Sequence, residues 1–129
     1  MSAVVIDASA ILAAILGEAG GDLVFDRLDE AMVSTVNVAE VYTYAAINDL
    51  PTDAIDAFFA DTGIEIASFD QVQAVTAGQL ARLTRKAGLS LGDRSCLALA
   101  KLHHAEVLTA DRPWQQVADA VGLTITLLR

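Results

Sequence analysis

Five short aliphatic runs, rich in β-branched residues and separated by segments with helical periodicity, restrict this chain more than any other feature. They occupy residues 3–6, 32–35, 64–67, 106–109 and 124–127. Each is nearly continuous in apolar residues instead of alternating, as a strand covered on both faces requires. The segments between them predict helices over 9–16, 21–29, 38–48, 53–61, 71–86, 94–104 and 113–121. Start signals support several: Thr52 and Asp70 each stand one residue before a helical run, and Asp111 precedes Pro113. Strands alternating with helices in this way predict an α/β protein, a single domain over 1–129 with a central parallel sheet of about five strands flanked by helices. A chain of 129 residues has room for one such core. One tension remains: consecutive helices must return the chain to the right sheet edge, and the stretch 87–92 would bridge about 20 Å if extended.

Composition removes several alternatives. Hydrophobic residues make up 54% of the chain and charged residues 19%, which excludes a disordered tail protein. The longest unbroken apolar stretch, residues 10–16, is far short of the roughly 20 residues that cross a bilayer, so no membrane span is expected. The N-terminal apolar run as far as Leu16 lacks a basic start and carries Asp7, so it reads as mature cytoplasmic protein and not as a signal peptide. The lone Cys96 excludes an internal disulfide and a Cys-rich metal site.

A net charge of −9 argues, taken alone, against a partner held by phosphate neutralisation. The distribution is more informative. Residues 1–81 hold thirteen acids and the single base Arg27, whereas residues 82–129 hold seven bases and four acids, balances of −12 and +3. Arg82, Arg85 and Lys86 fall at i, i+3 and i+4 and would share a helix face. A solvated helix end before Gly88, with cations facing the negative dipole, is the simpler account of them; phosphate contact is the alternative.

Chemistry in an open parallel sheet gathers outside the carboxyl ends of its strands, and four carboxylates fall there: Asp7, Glu40, Asp93 and Asp111. Each has an ordinary explanation as well. Asn37 to Glu40 fits a capping box, Asp93 and Asp111 fit N-caps, and Asp7 is placed to bond the turn into the first helix. Together they would crowd like charges on one sheet edge, an arrangement relieved by a cation or by raised pKa values. Oxygen donors with no neighbouring thiolate or imidazole suit Mg²⁺ or Mn²⁺ better than zinc.

Four blocks then carry a resemblance. Val4-Val5-Ile6-Asp7-Ala8-Ser9-Ala10, Asn37-Val38-Ala39-Glu40-Val41, Leu91-Gly92-Asp93-Arg94-Ser95-Cys96-Leu97-Ala98-Leu99-Ala100 and Val107-Leu108-Thr109-Ala110-Asp111-Arg112-Pro113-Trp114 closely resemble the PIN-domain ribonuclease toxins of the VapBC type, in order and over the full length. The resemblance implies a Mg²⁺-dependent endoribonuclease, with Mn²⁺ as substitute, from a toxin–antitoxin pair and held inactive by a small VapB-like antitoxin. It implies an acidic quartet of Asp7, Glu40, Asp93 and Asp111, metal held by Asp7, Asp93 and Asp111, and supporting hydroxyls on Ser9 and Thr109. Some members carry a further acid after the last aspartate, where this chain has Arg112, Pro113 and Trp114. Carboxylate-bound metal would lower the pKa of a water and orient it at a phosphodiester.

The remaining prominent residues have plain structural readings. His103 and His104 sit near a predicted helix C-terminus, Cys96 reads as a small core residue, and Trp114 as a packing anchor. Tyr42, Tyr44, Phe58 and Phe59 are expected mainly in the core, although adjacent Phe58 and Phe59 cannot easily share one direction. The high apolar content also predicts a homodimer and an antitoxin seat along 38–48 and 53–61, with Phe58 or Phe59 as anchor. RNA is expected over the C-terminal third, with Arg94 and Arg112, beside the acids, preferred to Arg82, Arg85 and Lys86. Two rivals are a catalytically degenerate PIN-fold binding module and a phosphohydrolase with Asp7 as nucleophile. The latter would want an acid at Ser9 and a lysine near the later acids.

Overall fold

A computed structural model describes residues 3–129 and forms five parallel strands in the order β3-β2-β1-β4-β5. They are β1 (Val4–Ile6), β2 (Ala31–Ser34), β3 (Glu65–Ala67), β4 (Glu106–Thr109) and β5 (Ile125–Leu127), each within a residue of the expected run. Met1 and Ser2 of the predicted domain lie outside the described residues. Among the described residues, eight helices accompany the sheet: α1 (Ala8–Leu16), α2 (Gly21–Phe25), α3 (Thr35–Ile47), α4 (Asp53–Asp61), α5 (Gln71–Gln79), α6 (Ala81–Thr84), α7 (Leu91–His103) and α8 (Ala118–Val121). None of them is long and apolar enough to cross a membrane.

Two cores, one on each face, explain the continuous apolar runs of the inner strands, whereas β3, expected to be covered on both faces, is an edge strand with Glu65 and Ile66 exposed. Because successive side chains of a strand point in opposite directions, Val4, Ile6, Val33 and Leu108 pack with α1, α3 and α4, while Val5, Met32, Val107 and Ile125 pack with α7 and Trp114. β1 lies at the centre, parallel to β2 on one side and to β4 on the other. The chain winds outward from β1 to β3, then returns across the sheet to place β4 beside β1, with α7 packed on β1, β2 and β4. Strand order therefore reverses between β1 and β4, and their carboxyl ends open the crevice in which such sheets bind ligands.

The return crossing also resolves the tension over 87–92. That stretch is not extended: Arg85–Ala87 forms a 3₁₀ turn, Gly88 takes a left-handed conformation at φ 77°, and α7 starts at Leu91. Other boundaries differ from expectation for local reasons. The helix expected over 21–29 ends at Phe25, and a 3₁₀ turn, Leu28–Glu30, follows. The helix expected over 71–86 breaks at Leu80, whose carbonyl accepts from Thr84 Oγ1 at 2.9 Å, a side-chain bond that competes with the helical ladder. The segment 113–121 is a 3₁₀ turn, Arg112–Val117, followed by the single turn of α8. Thr52 holds the N-cap position of α4 without a capping bond.

Candidate functional site

Asp7 directly follows β1 and is only 3% exposed. It is the N-cap of α1, accepting from the Ala10 amide at Oδ1 at 2.9 Å, so the capping role expected of it is real. Capping engages one oxygen and leaves the rest of the carboxylate to two hydroxyls. Ser9 Oγ lies 2.8 and 2.9 Å from Oδ1 and Oδ2 and donates its one proton across the pair, while Thr109 Oγ1 donates to Oδ2 at 2.8 Å. The same hydroxyls accept from backbone: Ser9 from Ala110 N at 3.0 Å and Thr109 from Asp111 N at 3.0 Å. The segment that delivers Asp111 is thus fastened over Asp7, across the reversal point of the sheet.

Glu40 and Asp93 arrive on helices. α3 leaves β2 without a loop, capped by Ser34, whose Oγ accepts from Val36 N; the capping box expected at Asn37 to Glu40 does not form. Asn37 instead donates through Nδ2 to Glu40 Oε1 at 2.7 Å and to the carbonyl of Gly92 at 3.1 Å, joining α3 to α7. Glu40 lies so close to Gly92 that a Cβ there would meet Oε2 at 2.2 Å. Asp93 is not the N-cap of its helix. Ser90 is, and the two form a reciprocal box in which Ser90 Oγ accepts from Asp93 N at 3.2 Å and Asp93 Oδ2 accepts from Ser90 N at 2.8 Å. Asp111 begins the 3₁₀ turn 112–117 with no capping bond from its side chain, which is exposed.

The electrostatics tie these positions together. Burial, ahead of every other cause, raises Asp7 from 3.8 to about 7; its hydrogen bonds pull it down and the charge of Asp111 pushes it further up. Glu40 is raised chiefly by burial and then by Asp93 and Asp111, and Asp93 chiefly by burial and then by Asp111. The buried Cys96 thiol is also pushed up, first by burial and then by Asp7, Asp93 and Glu40. One side chain at the core end of the site therefore senses three carboxylates, and one at the mouth acts on the same three. Asp93 and Asp111 line a pocket of about 190 Å³ with Gly88, Leu89, Pro113 and Trp114; Asp7 and Glu40 are not part of its lining.

The donor set fits a hard divalent cation: carboxylate oxygens, raised by burial and mutual repulsion, with the nearby Cys96 sulfur buried and protonated. Among the described residues, however, no three His, Cys, Asp or Glu side chains converge into a finished metal cage. Of the arginines expected beside the acids, Arg94 turns away and donates to the carbonyl of Ala77 at the end of α5 at 2.9 Å, and Arg112 is exposed. Cys96 and Trp114 are core residues as expected, and His104 is the left-handed C-cap of α7. Sequence reasoning missed Asn37, Gly92 and Ser90 as supports of Glu40 and Asp93. The available signal was their place within or beside the blocks that carry the acids.

Fold and site together define a doubly wound parallel sheet with a carboxylate-lined crevice at its switch point. The chain belongs to the PIN domain family, whose model matches residues 4–120. Similar solved structures include a DNA-bound VapBC from Salmonella typhimurium (18% identity, TM-score 0.76, all of both chains covered) and VapBC2 from Rickettsia felis bound to a promoter DNA fragment (14%, TM-score 0.75, 96% of this chain and 97% of that chain). VapBC-5 from Mycobacterium tuberculosis, of the VapBC family of toxin–antitoxin systems, is also similar (20%, TM-score 0.64, 98% and 99%). At these identities the likeness is one of fold. No curated protein sequence matches the chain.

Proposed function

We propose that this protein is a divalent-metal-dependent endoribonuclease, the toxin of a type II toxin–antitoxin pair, acting in the cytoplasm. The observation that supports the reading is that the charge of Asp111 raises Asp7, Glu40 and Asp93, so that four carboxylates from four separate segments sense one another near the reversal point of the sheet. Asp7, Asp93 and Asp111 would hold Mg²⁺, or Mn²⁺ in its place, which when bound supplies an electrophile for the phosphodiester and an acidified water. The chain's own part is positioning. Ser9 and Thr109 orient Asp7, Asn37 and Gly92 seat Glu40, which would serve as a proton acceptor, and the Ser90 box holds Asp93. A nucleophilic Asp7 fits poorly, because both its oxygens are engaged and the residue is buried. The non-catalytic reading is favoured by one observation, the absence of a finished cage among the described residues. Incubating total RNA with the protein decides between them: cleavage in Mg²⁺ or Mn²⁺, silence in EDTA and silence of Asp7→Asn support the nuclease, and full activity in EDTA overturns it.

The antitoxin seat follows from apolar surface. α1, α3 and α4 enclose an apolar groove of about 300 Å³ lined by Leu12, Leu16, Tyr44, Leu50 and Ile55. Phe25, 50% exposed, stands over an adjoining hollow floored by Phe58. Phe58 is itself only 6% exposed and packs edge-on to Phe25 and Phe59, so in this reading it forms the floor of the seat instead of a projecting anchor. The proposed homodimer would cover the apolar side chains that α5 leaves outside, Val72 and Val75.

A further inference from the structure

Eight lysine and arginine side chains carry the positive charge of this chain, and four of them are engaged within the fold. Arg27 pairs with Glu30 and Glu106, Arg94 donates to Ala77, Lys101 to the carbonyl of Val121, and Arg129 to Ala19 and Glu18. The other four, Arg82, Arg85, Lys86 and Arg112, are exposed, with no hydrogen bond or ion pair among the described residues. They are also neighbours. The 3₁₀ turn Arg85–Ala87 packs on the 3₁₀ turn that begins with Arg112. Ala87, Gly88 and Leu89, which directly follow the basic run, form one wall of the pocket that Asp93 and Asp111 share. Behind them, Arg82 and Arg85 line a wide, open groove over the break between α5 and α6.

Resting on the nuclease reading, we propose that Arg82, Arg85, Lys86 and Arg112 form a phosphate-binding rim that seats the backbone of single-stranded RNA where it enters the acidic pocket. The charge distribution favours this occupant. Residues before Arg82 carry a balance of −12, so a polyanion is repelled over most of the molecule and attracted at this margin. Unpaired guanidinium groups meet phosphate oxygens in a bidentate fork, whereas Arg94 has a donor already committed to Ala77. Trp114 is buried, so the rim offers little on which bases can stack, and backbone contact dominates. Such contacts position a strand without reading its sequence. The order of importance expected from the sequence is thereby reversed: the basic run outranks Arg94.

Binding of a labelled single-stranded oligoribonucleotide, followed by anisotropy against salt concentration, tests the rim. Asp7→Asn protein in Mg²⁺ keeps the RNA intact during the titration. Replacing Arg82, Arg85 and Lys86 together by Gln is expected to weaken binding by roughly tenfold or more at low salt and to flatten the log–log salt slope by about 0.7 for each phosphate left without its cation. Arg112→Gln flattens the slope by the share of about one phosphate, while Arg94→Gln lowers thermal stability and leaves the slope unchanged. An unaltered slope and affinity in the triple variant overturns the proposal, as does parent protein that binds no RNA or is competed as well by polyglutamate as by RNA. Wild-type cleavage in Mg²⁺ with an unaltered triple-variant slope removes the rim alone; rim-dependent binding without any cleavage removes the nuclease reading alone.

Discussion

Asp7 is held at about 7 against an ordinary 3.8, so in the absence of metal the folded protein keeps a proton that the unfolded chain releases. For an acid raised in this sense, the stability it contributes is complete below about 3.8 and is lost as pH climbs to about 7. Asp7→Asn removes that loss. Asparagine caps a helix as well as aspartate does, and Ser9 and Thr109 can accept from its amide, so the variant should be more stable than wild type in EDTA above pH 7, by on the order of 1–3 kcal/mol. Thermal melts across the pH range check this; equal pH dependence in both proteins contradicts it. Gly92→Ala separates seating from stability. Its new methyl displaces only the far end of the Glu40 side chain, and alanine favours a helix, so the melt should hold or rise while RNA cleavage falls by roughly tenfold. Cleavage at the wild-type rate would remove Glu40 from the site. The positions of Asp7 and Asp111 were legible because they stand within two residues of the ends of β1 and β4, whereas Glu40 and Asp93 are carried on helices. Asn37 was not legible, since an amide three residues before a glutamate matches a capping pattern, and only the packing of α3 on α7 reveals that it bonds across helices.

Among the elements, α7 does the most for the site, because its first turn carries both the Gly92 shelf and Asp93. The box between Ser90 and Asp93 links helix capping to the position of the carboxylate. Ser90→Ala should therefore cost about 1 kcal/mol in stability, as the loss of a cap does, and also weaken Mg²⁺ binding by freeing Asp93. A melt combined with a Mg²⁺ titration checks both parts; lost stability with unchanged metal affinity would reduce Ser90 to a cap alone. The inner strands β1, β2 and β4 were legible to within a residue because burial leaves an unmistakable apolar run, whereas β3 is an edge strand with Glu65 and Ile66 exposed. Helix breaks were not legible. Leu80 is a good helix former in an apolar period, and the chain divides there, where Thr84 bonds its carbonyl and where Leu80 enters the core with α7, a burial that local pattern does not encode.

At the scale of the whole molecule, the parallel sheet and its class followed from the pattern, but the strand order did not, because no local signal says that β4 returns beside β1. That return creates the crevice and sets Asp111 where its charge raises both Asp7 and Asp93, acids far apart in sequence. It also leaves apolar surface uncovered: Val72 and Val75 on α5 are 59% and 54% exposed. Sedimentation should report a dimer for the wild type and a monomer for the Val72→Glu, Val75→Glu double variant, with an unchanged melt; a wild-type monomer would contradict self-association. The proposed function nevertheless depends on Asp7, Asp93 and Asp111 acting as one cation site, and Mn²⁺ titration followed by electron paramagnetic resonance tests that most directly. Folded wild-type protein should bind Mn²⁺ saturably, in competition with Mg²⁺, and Asp7→Asn, Asp93→Asn and Asp111→Asn should each weaken binding by roughly tenfold or more. Wild-type protein that fails to bind the ion, or an Asp111→Asn variant that binds it as tightly, would contradict the account.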